Sequence, residues 1–521
     1  MTEGKGCSRR DFLKLATAAG LSASLVKSSN ARENEETRSD MMTTQGHLGE
    51  PYDLAGKRLV FTNWHYVRPG DFRWSDAEGN KLGLSTSVGQ WDAHFRRFDY
   101  PYGIRLAVQP AQKRRLEGVS SRIVIQDGSV YRAWGGAYYE SKDGMNWESH
   151  ELIGDSSGTV FIDPSAPDEE RYKGVHLADA KPEEFEAYRK RRPNDIQSLA
   201  IDADPGRVHA VFGTVSPDGI HWKKIPVPIV VEHSDTQIVA YYDERLRKYV
   251  MYTRNYPVAP RSDKVPYDGF KDIWEACRRS IGRTESDDFR NFPISEVIVE
   301  PWPELLPSDM LYTNCRTAIP SAPDQHLMFP TIWHTSDDST SIAIMSSHDT
   351  KLWSHLPGGP VFETGAFGEW DGGCIFAPPN LVELPNGDFA LPYTSYTFPH
   401  KYPGGQLNSA CGYAIWQKGR LVAIEAPEIG YFATAKIVPP GRKLKINAVV
   451  HRAGSILVEA TDSDRNPIPG RTFEDSVPII GDQHWTPVTW KGKDDLGHKE
   501  GNPIMLRFRM DKAKIFGLEF G

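Results

Sequence analysis

Short apolar or alternating runs, separated by clusters of Gly, Pro, Asn and Asp, dominate the chain after about residue 50. GTVFIDP (158–164) and DTQIVAYYD (235–243) have the length and composition of strands bounded by tight turns. A helical pattern occurs in two stretches, residues 181–192 and 268–280. The pattern therefore predicts an all-β protein.

A Ser-x-Asp turn recurs four times and divides the chain into similar units. The copies begin at Ser141, Ser216, Ser286 and Ser347, and in each an aromatic residue lies six positions after the Ser. A period of roughly 60 to 75 residues is typical of propeller blades with insertions. A fifth unit without this turn covers residues 372–396. Because Ser and Asp side chains can bind turn amides, we interpret these turns as scaffold, not as catalytic groups.

The two ends of this repeat region have a different character. GKRLVFTNWHYV (56–67) predicts a strand that enters or closes the ring. From about residue 428 the alternation becomes strict, which is typical of a β-sandwich. The predicted fold is a five-bladed β-propeller followed by a C-terminal, jelly-roll-like β-sandwich. The predicted domains are residues 1–45 (signal peptide and linker), 46–427 (propeller) and 428–521 (sandwich).

The N-terminus carries a targeting signal. SRRDFLK (8–14) resembles the twin-arginine export motif S-R-R-x-F-L-K, and the apolar run that follows (15–26) is too short to span a bilayer. Residues 29–31 (SNA) form a suitable cleavage site. We therefore expect a protein that is exported to the periplasm or beyond, with no integral membrane segment in its mature form.

The amino-acid composition limits the classes of molecule that the protein is expected to bind. The 521 residues carry a net charge of −8 and show no basic stripe, which argues against nucleic-acid binding. Aromatic residues make up 11% of the chain, and exposed aromatic side chains suit sugar binding. The five cysteines are far apart with no CxxC, so a zinc site is not expected. Cys7 belongs to the signal. The sequence is compatible with either disulfides or buried free thiols for the other four cysteines.

The export signal, the five units and the C-terminal sandwich together resemble the five-bladed glycoside hydrolases of families 43 and 32. FIDPSAPDEERYK (161–173), DTQIVAYYDERLRKYVMYTR (235–254) and FGEWDGGCIFAPPNLVEL (367–384) carry this resemblance, which covers residues 57–521. It implies a central funnel with three carboxylates near inner-strand starts: a base or nucleophile, an acid, and an orienting group. The family 32 W-x-N-D-P-N-G motif is absent, and its E-C acid motif has only a weak counterpart at residues 275–277.

Carboxylates beside predicted inner strands are the catalytic candidates, because glycoside hydrolysis needs two carboxyl groups that face the scissile bond. These candidates are Asp163, Asp235 and one or both of Glu369 and Asp371. Polar and aromatic residues near predicted strand ends are candidate substrate-binding residues: Trp64, His65, Arg68, His94, His233, Gln237, Arg316, Trp333, His334 and Trp370.

The leading functional hypothesis is an exported glycoside hydrolase that acts on oligo- or polysaccharides. One alternative is a non-catalytic carbohydrate-binding propeller, which predicts an aromatic-lined funnel without a paired carboxylate. Another is a polysaccharide lyase that uses His65 or His233 with a tyrosine, which predicts a cluster of His, Tyr and Arg. None of these needs a cofactor. A structural divalent cation such as calcium is compatible with the funnel, but no ligand spacing specifies it.

Overall fold

Strands account for nearly all the regular structure, as the alternation predicts. The computed structural model describes the backbone of residues 74–75 and 81–82 and, in full, residues 51–69, 100–119, 123–154, 158–191, 208–232, 234–256, 278–403 and 408–521. The helix predicted at residues 181–192 is confirmed as Pro182–Arg191; the stretch 268–280 lies largely outside the described residues. Two short 3-10 turns, Asp168–Glu170 and Gln417–Gly419, and a two-stranded hairpin, Trp74–Ser75 with Lys81–Leu82, complete the small elements.

Three four-stranded antiparallel sheets follow one another along the chain, and in each the strands lie in sequence order. We name them sheets I, II and III. Their strands are Ile123–Asp127, Val130–Trp134, Tyr138–Ser141 and Glu148–His150 in sheet I; Thr159–Ile162, Tyr172–Ala180, Val208–Ser216 and Lys223–Lys224 in sheet II; and Val239–Asp243, Lys248–Asn255, Ser280–Ser286 and Glu296–Val299 in sheet III.

Two further four-stranded sheets are together named sheet IV. Each of four consecutive chain segments contributes one strand to the first of these sheets and one strand to the second. The first contains Asp309–Thr313, Thr331–His334, Ser339–Ile342 and Phe362–Glu363; the second contains Arg316–Ile319, Ala322–Met328, Met345–Ser347 and Ser354–His355. The breaks have local causes. Cys315 has a positive φ of 43°, and Pro330 has no N–H to donate to a neighbouring strand. The run HLMFPTIWH (326–334) lies in the second strands of this sheet, on both sides of Pro330.

Sheet V joins distant parts of the chain. Its strands are Cys374–Phe376, Phe389–Tyr396, Ala410–Trp416 and Gln112–Leu116 in spatial order, with Val382–Glu383 also paired to the second. Gln112–Leu116 is therefore the strand by which the N-terminal part completes the last sheet. The expectation that residues 56–67 fill this place is wrong, because Leu59–Val60 pairs with Gly517 and Leu518 near the C-terminus.

An eight-stranded sheet, which we name the terminal sheet, combines both ends of the described chain. Its strands are Tyr52–Asp53, Leu59–Val60, Arg105–Val108, Val422–Ala433, Ile437–Val438, Leu444–Asp462, Asp482–Pro487 and Ile504–Phe520. Leu444–Asp462 pairs along the whole of one edge of Ile504–Phe520. The predicted boundary between residues 427 and 428 falls inside Val422–Ala433, which pairs with both Arg105–Val108 and Ile504–Phe520. The division into two domains stays a prediction.

Apolar side chains of the terminal sheet, sheet IV and sheet V share one core, which includes Phe61, Ile344, Leu391 and Phe508. Cys315, Cys374 and Cys411 are buried, whereas Cys7 and Cys277 lie outside the described residues. In the part of the chain that the structure describes, no helix has the length and apolar character needed to cross a membrane.

The Ser-x-Asp turns occupy the same place in four sheets, after the third strand. In sheet I, Ser141 Oγ accepts the amide of Gly144 at 2.9 Å, and Asp143 Oδ1 accepts the amides of Met145 and Asn146 at 2.8 Å each. Ser216, Ser286 and Ser347 likewise end third strands. The turn therefore satisfies its own backbone donors and brings the fourth strand back antiparallel to the third.

Replacement of Asp143 by Ala should lower the midpoint of thermal unfolding by a few degrees, because two backbone amides lose a charged acceptor worth roughly 1 to 2 kcal/mol. Asp143→Asn keeps one acceptor oxygen and should lose less. Hydrogen bonds from the Asn146 and Met145 amides lower the pKa of Asp143. Its contribution should therefore be present above the unfolded pKa of about 4 and disappear as pH falls through the lower folded value. Calorimetry from pH 7 to pH 3 measures this; identical midpoints for wild type and Ala would refute the scaffold interpretation.

Candidate active site

A cavity of about 600 Å³, which we name the central cavity, lies where sheets I to V meet. The first strand of every one of these sheets, or a residue directly beside it, contributes to the lining: Ile123, Thr159, Ile238, Thr313 and Phe376. Side chains of second strands complete the wall. A concave site of this size, with an apolar lining and a few convergent polar groups, is the usual form of a small-molecule site.

Asp235 is the candidate catalytic residue that lines this cavity. It precedes the first strand of sheet III, and its side chain is 45% exposed. Arg254 Nη1 donates to Asp235 Oδ1, and Arg279 Nη2 donates to the same oxygen at 3.1 Å. The two arginine side chains are only 2% and 3% exposed. Two buried guanidinium groups therefore hold one accessible carboxylate and stabilise its negative charge.

The register of sheet III explains why these arginines lie together. Arg254 is the last-but-one residue of the second strand, and Asn255 pairs with Ser280 of the third strand, directly after Arg279. Both arginines therefore lie at the cavity end of neighbouring strands. The two positive charges repel each other. Burial, followed by the charge of Arg279, lowers the pKa of Arg254.

Aromatic groups complete the polar face of the cavity. The Arg279 guanidinium carbon lies 4.1 Å from the ring centre of Tyr312, and the ring centres of Tyr312 and His400 are 4.6 Å apart. Burial, together with the charges of Lys401 and Arg279, lowers the pKa of His400 to about 4. His400 is therefore neutral near pH 7 and can accept or donate a hydrogen bond.

Gln237, a predicted substrate-binding residue, also lines the cavity, but its amide joins three sheets. Its Nε2 donates to the carbonyl of Ala377 at 2.8 Å, and its Oε1 accepts the amide of Cys315 at 2.5 Å. Asn314 Nδ2 donates to the backbone carbonyl of Gln237 at 3.2 Å. The side chain thus anchors sheet III to sheets IV and V.

Asp163 lies at the wrong end of its strand for catalysis in this cavity. It follows Thr159–Ile162, whereas Gly158 and Thr159 at the other end line the cavity. Its carboxylate is buried, receives hydrogen bonds from Tyr249 and Ser165, and pairs with Lys173 at 2.8 Å. Burial opposes its ionisation, but these partners outweigh burial and lower the pKa of Asp163. The structure therefore gives Asp163 the environment of a buried ion pair.

The pair Glu369 and Asp371 also lies away from the central cavity. Asp371 is 1% exposed, pairs with Lys113 Nζ at 2.7 Å and accepts the Tyr393 hydroxyl at 3.2 Å. The Trp370 ring packs 5.6 Å from Tyr393, and exposed Glu369 accepts an amide of its own turn. Lys113 belongs to the closing strand of sheet V, so this cluster lies across the face of that sheet. The structure does not bring Asp163, Asp235 and Asp371 together.

Two further predicted binding residues, Trp333 and His334, have structural partners. Trp333 Nε1 donates to Asp338, and its ring lies 5.5 Å from His400, behind the cavity wall. Both ring nitrogens of His334 have partners, Asp309 at 2.9 Å and Ser341 at 3.0 Å. Trp333 and His334 end the second strand of sheet IV, not an inner strand.

Arg316 is buried between sheets III and IV. Its guanidinium carbon lies 3.2 Å from the ring centre of Tyr241, and its Nη2 contacts His326 Nδ1 at 2.5 Å. Burial, with the charge of Arg316, lowers the pKa of His326 far below its ordinary value, so this nitrogen acts as an acceptor. A role for Arg316 in substrate binding is not supported by this position.

The remaining predicted binding residues belong elsewhere. Trp64 and His65 line a different cavity, and the backbone amide of Arg68 donates to Ala433 in the terminal sheet. His94 and His233 lie outside the described residues.

Sequence reasoning missed Arg254, Arg279, Tyr312 and His400. Arg254 directly follows the apolar run YVMYT, where a charge that ends an otherwise buried strand is a weak signal. Arg279 lies in a stretch predicted to be helical, and Tyr312 and His400 lie in stretches with no distinctive pattern; the register of sheet III brings Arg279 beside Arg254.

A metal site finds no support in the described part of the chain. No group of three or more His, Cys, Asp and Glu side chains there is arranged to hold an ion. In the described lining of the central cavity, Asp235 stands beside two guanidinium groups, a setting that disfavours a divalent cation.

No family model matches the chain, and no curated protein matches it either. Similar solved structures include a thermostable family-43 glycoside hydrolase, at 12% identity and a TM-score of 0.37 over 60% of this chain and 96% of that one. A family 32 β-fructofuranosidase of Bombyx mori has 9% identity and a TM-score of 0.33 over 79% and 95%. An N-acetylgalactosamine deacetylase from F. plautii has 12% identity and a TM-score of 0.31 over 67% and 94%. Similarity at this level identifies neither a family nor a reaction.

The low pKa of His400 predicts an acid-dependent loss of stability. Between pH 6.5 and about 4 the unfolded imidazole is protonated while the folded one is not, so protonation favours unfolding as pH falls through this range. The difference in unfolding midpoint between wild type and His400→Gln should therefore move in favour of the variant from pH 7 to pH 5. His451→Gln, at an exposed position, is the control and should show a constant difference. A constant difference for His400→Gln as well would contradict the assigned environment.

Proposed function

We propose that the protein is an exported glycoside hydrolase, with the central cavity as its active site and Asp235 as an ionised catalytic carboxylate. The observation that carries this proposal is the accessible Asp235 carboxylate, held by the buried Arg254 and Arg279 in a cavity reached by the first strands of all five sheets. The resemblance of three sequence phrases to families 43 and 32 supports the same reaction class.

The chemistry assigns Asp235 the role of base or nucleophile. A carboxylate that accepts two guanidinium hydrogen bonds stays ionised, so it can attack the anomeric carbon or activate a water molecule. The arginines also fix its direction, which lowers the cost of reaching the reactive geometry. Tyr312, Phe376 and Tyr396 supply apolar faces for sugar rings. Hydrolysis also needs a proton donor to the leaving oxygen. The described lining contains no second Asp or Glu, and this is also the arrangement that the non-catalytic carbohydrate-binding alternative predicts.

The fold proposal follows from the same geometry. Sheets I to V are interpreted as five propeller blades, because their first strands surround one cavity and four of them carry the Ser-x-Asp turn after the third strand. The terminal sheet, with its long strands Leu444–Asp462 and Ile504–Phe520, is interpreted as the C-terminal sandwich. Export by the twin-arginine pathway, and a carbohydrate as the sole partner class, complete the proposal.

Asp235→Asn should reduce kcat on a cleavable glycoside by about 10²- to 10⁴-fold, because the amide cannot act as base or nucleophile. A panel of aryl glycosides and reducing-end assays on plant and algal oligosaccharides would first identify the substrate. Asp371→Asn is the matched control: it removes one charge from a buried pair remote from the cavity, and should lower the unfolding midpoint without lowering kcat. Addition of azide to Asp235→Ala should restore turnover and yield a glycosyl azide. Unchanged turnover in Asp235→Asn, or no hydrolysis of any substrate, would refute the proposal.

A polysaccharide lyase is a second candidate, because His400 and Tyr312 of the described lining are groups that can carry out an elimination from a uronic acid. Neutral His400 lies against Tyr312, which in turn contacts the Arg279 guanidinium. His400 could accept the proton beside the sugar carboxylate, and Tyr312 could protonate the leaving oxygen.

The lyase candidate predicts an unsaturated product that absorbs in the ultraviolet when polygalacturonate or alginate is the substrate. Tyr312→Phe should then lower the rate by about 10²-fold or more, since the donor hydroxyl is lost while the ring is kept. New reducing ends without ultraviolet absorbance would exclude elimination and favour hydrolysis.

A further inference from the structure

A second and larger cavity, of about 1040 Å³, lies between the terminal sheet and sheet IV. We name it the Trp64 cavity. One wall is formed by strand Arg105–Val108 with the side chains of Glu425 and Lys514, and the other by Ser346, His348 and residues 354–358. Asn63, Trp64 and His65 border it, and it shares no lining residue with the central cavity.

Trp64 presents an exposed aromatic surface at this cavity, on a turn whose backbone is held by hydrogen bonds. Its side chain is 44% exposed, unlike most tryptophans of the described chain. The turn that carries it is held on both sides: Asn63 Oδ1 accepts the amide of His65 at 2.8 Å, and the carbonyl of Trp64 accepts the amide of Val67 at 2.9 Å. Because this backbone is ordered before binding, a ligand that stacks on the indole does not have to order the turn.

Stacked imidazoles add hydrogen-bonding groups without adding charge. The rings of His65 and His348 are 4.2 Å apart and nearly parallel, and His355 stacks on Trp302 at the same distance. Burial lowers the pKa of both His348 and His355. A neutral imidazole offers one donor and one acceptor, which suits hydroxyl groups better than ions.

The facing wall carries a network of charged groups whose charges are largely compensated. Glu425 accepts Arg105 at 2.6 Å and lies 3.4 Å from Lys514, which also donates to Gln109 at 3.0 Å. The cavity thus combines an exposed indole with many neutral or compensated polar groups.

We propose that the Trp64 cavity is a second saccharide-binding site, which holds a polysaccharide segment outside the active site. An indole face packs against the C–H face of a pyranose, while imidazole, amide and hydroxyl groups bind its hydroxyls. The volume is at the upper end of the range for small-ligand pockets and suits a short run of sugar units better than one. The choice of a carbohydrate over another hydroxyl-rich ligand rests on the proposed function.

Native affinity electrophoresis in gels that contain arabinoxylan, polygalacturonate, inulin or laminarin tests this site. All proteins carry Asp235→Asn, so that no polymer is degraded during the run. At least one polymer should retard this parent, and Trp64→Ala should weaken the apparent affinity about tenfold. Trp64→Phe should restore part of the retardation, because it keeps an aromatic face. Phe367→Ala is the matched control, since Phe367 is 75% exposed in a loop beside sheet V, and it should change nothing.

Equal unfolding midpoints for the parent and Trp64→Ala would show that a loss of retardation reflects binding and not a change of fold. Retardation unchanged by Trp64→Ala, or no retardation by any of the four polymers, would overturn the site. The outcomes separate it from the proposed function. Trp64-dependent retardation without any hydrolysis by the wild type would support the second binding site and refute the hydrolase proposal. Hydrolysis without Trp64-dependent retardation would support the hydrolase proposal and refute the second binding site.

Discussion

The pairing of Gln112–Leu116 with Ala410–Trp416 is the interaction on which the arrangement of the sheets depends. It joins strands about 300 positions apart, and the indole of Trp416 adds a bond to the Gln109 carbonyl across 307 positions. Sheets I to IV lie between these strands in sequence, so the pairing closes the path that they follow. Lys113 reinforces the closure from this strand through its ion pair with the buried carboxylate of Asp371. The cost of closing such a loop rises only slowly with its length, so one well-formed sheet edge is sufficient.

Near the central cavity, neighbouring sheets are connected by hydrogen bonds of individual side chains and not by backbone hydrogen bonds between paired strands. Thr159 Oγ1 donates to the Ile238 carbonyl between sheets II and III, and Thr340 exchanges hydrogen bonds with the backbone of Ile375 between sheets IV and V. Gln237 connects sheets III, IV and V through both ends of its amide. The threonine bonds are buried and those of Gln237 are partly buried, where an unpaired polar group would cost free energy, so these contacts define the spacing of the first strands. The cavity is the space that this spacing leaves.

Electrostatics distinguishes Asp235 from the other candidate carboxylates. Asp163 and Asp371 are both 1% exposed, and each has a lysine as its counter-ion, which is the usual arrangement of a structural ion pair. Around Asp235 the burial is reversed: the cations are inside and the carboxylate is open to the cavity. A charge that is accessible and yet held in position can meet a substrate, whereas a carboxylate enclosed by its own partners cannot.

Local patterns determined the parts of this protein that depend on neighbouring residues. Alternation and turn residues predicted the all-β class, the helix at Pro182–Arg191 and the Ser-x-Asp turns, because backbone hydrogen bonding and side-chain direction are local properties. The place of Asp235 directly before a buried strand could also be recognised from sequence.

Tertiary structure alone decided which strand closes sheet V and which side chains share a cavity. The strand that was expected to close the ring pairs instead with the C-terminus, since an alternating run does not specify its partner. Asp163 follows its strand and Asp235 precedes its strand, and only the folded structure shows that the cavity lies at the start of both strands. Arg254 and Arg279 are 25 positions apart in the printed sequence and become neighbours only through the register of sheet III. Register and strand order depend on long-range packing, which no single stretch of the chain contains.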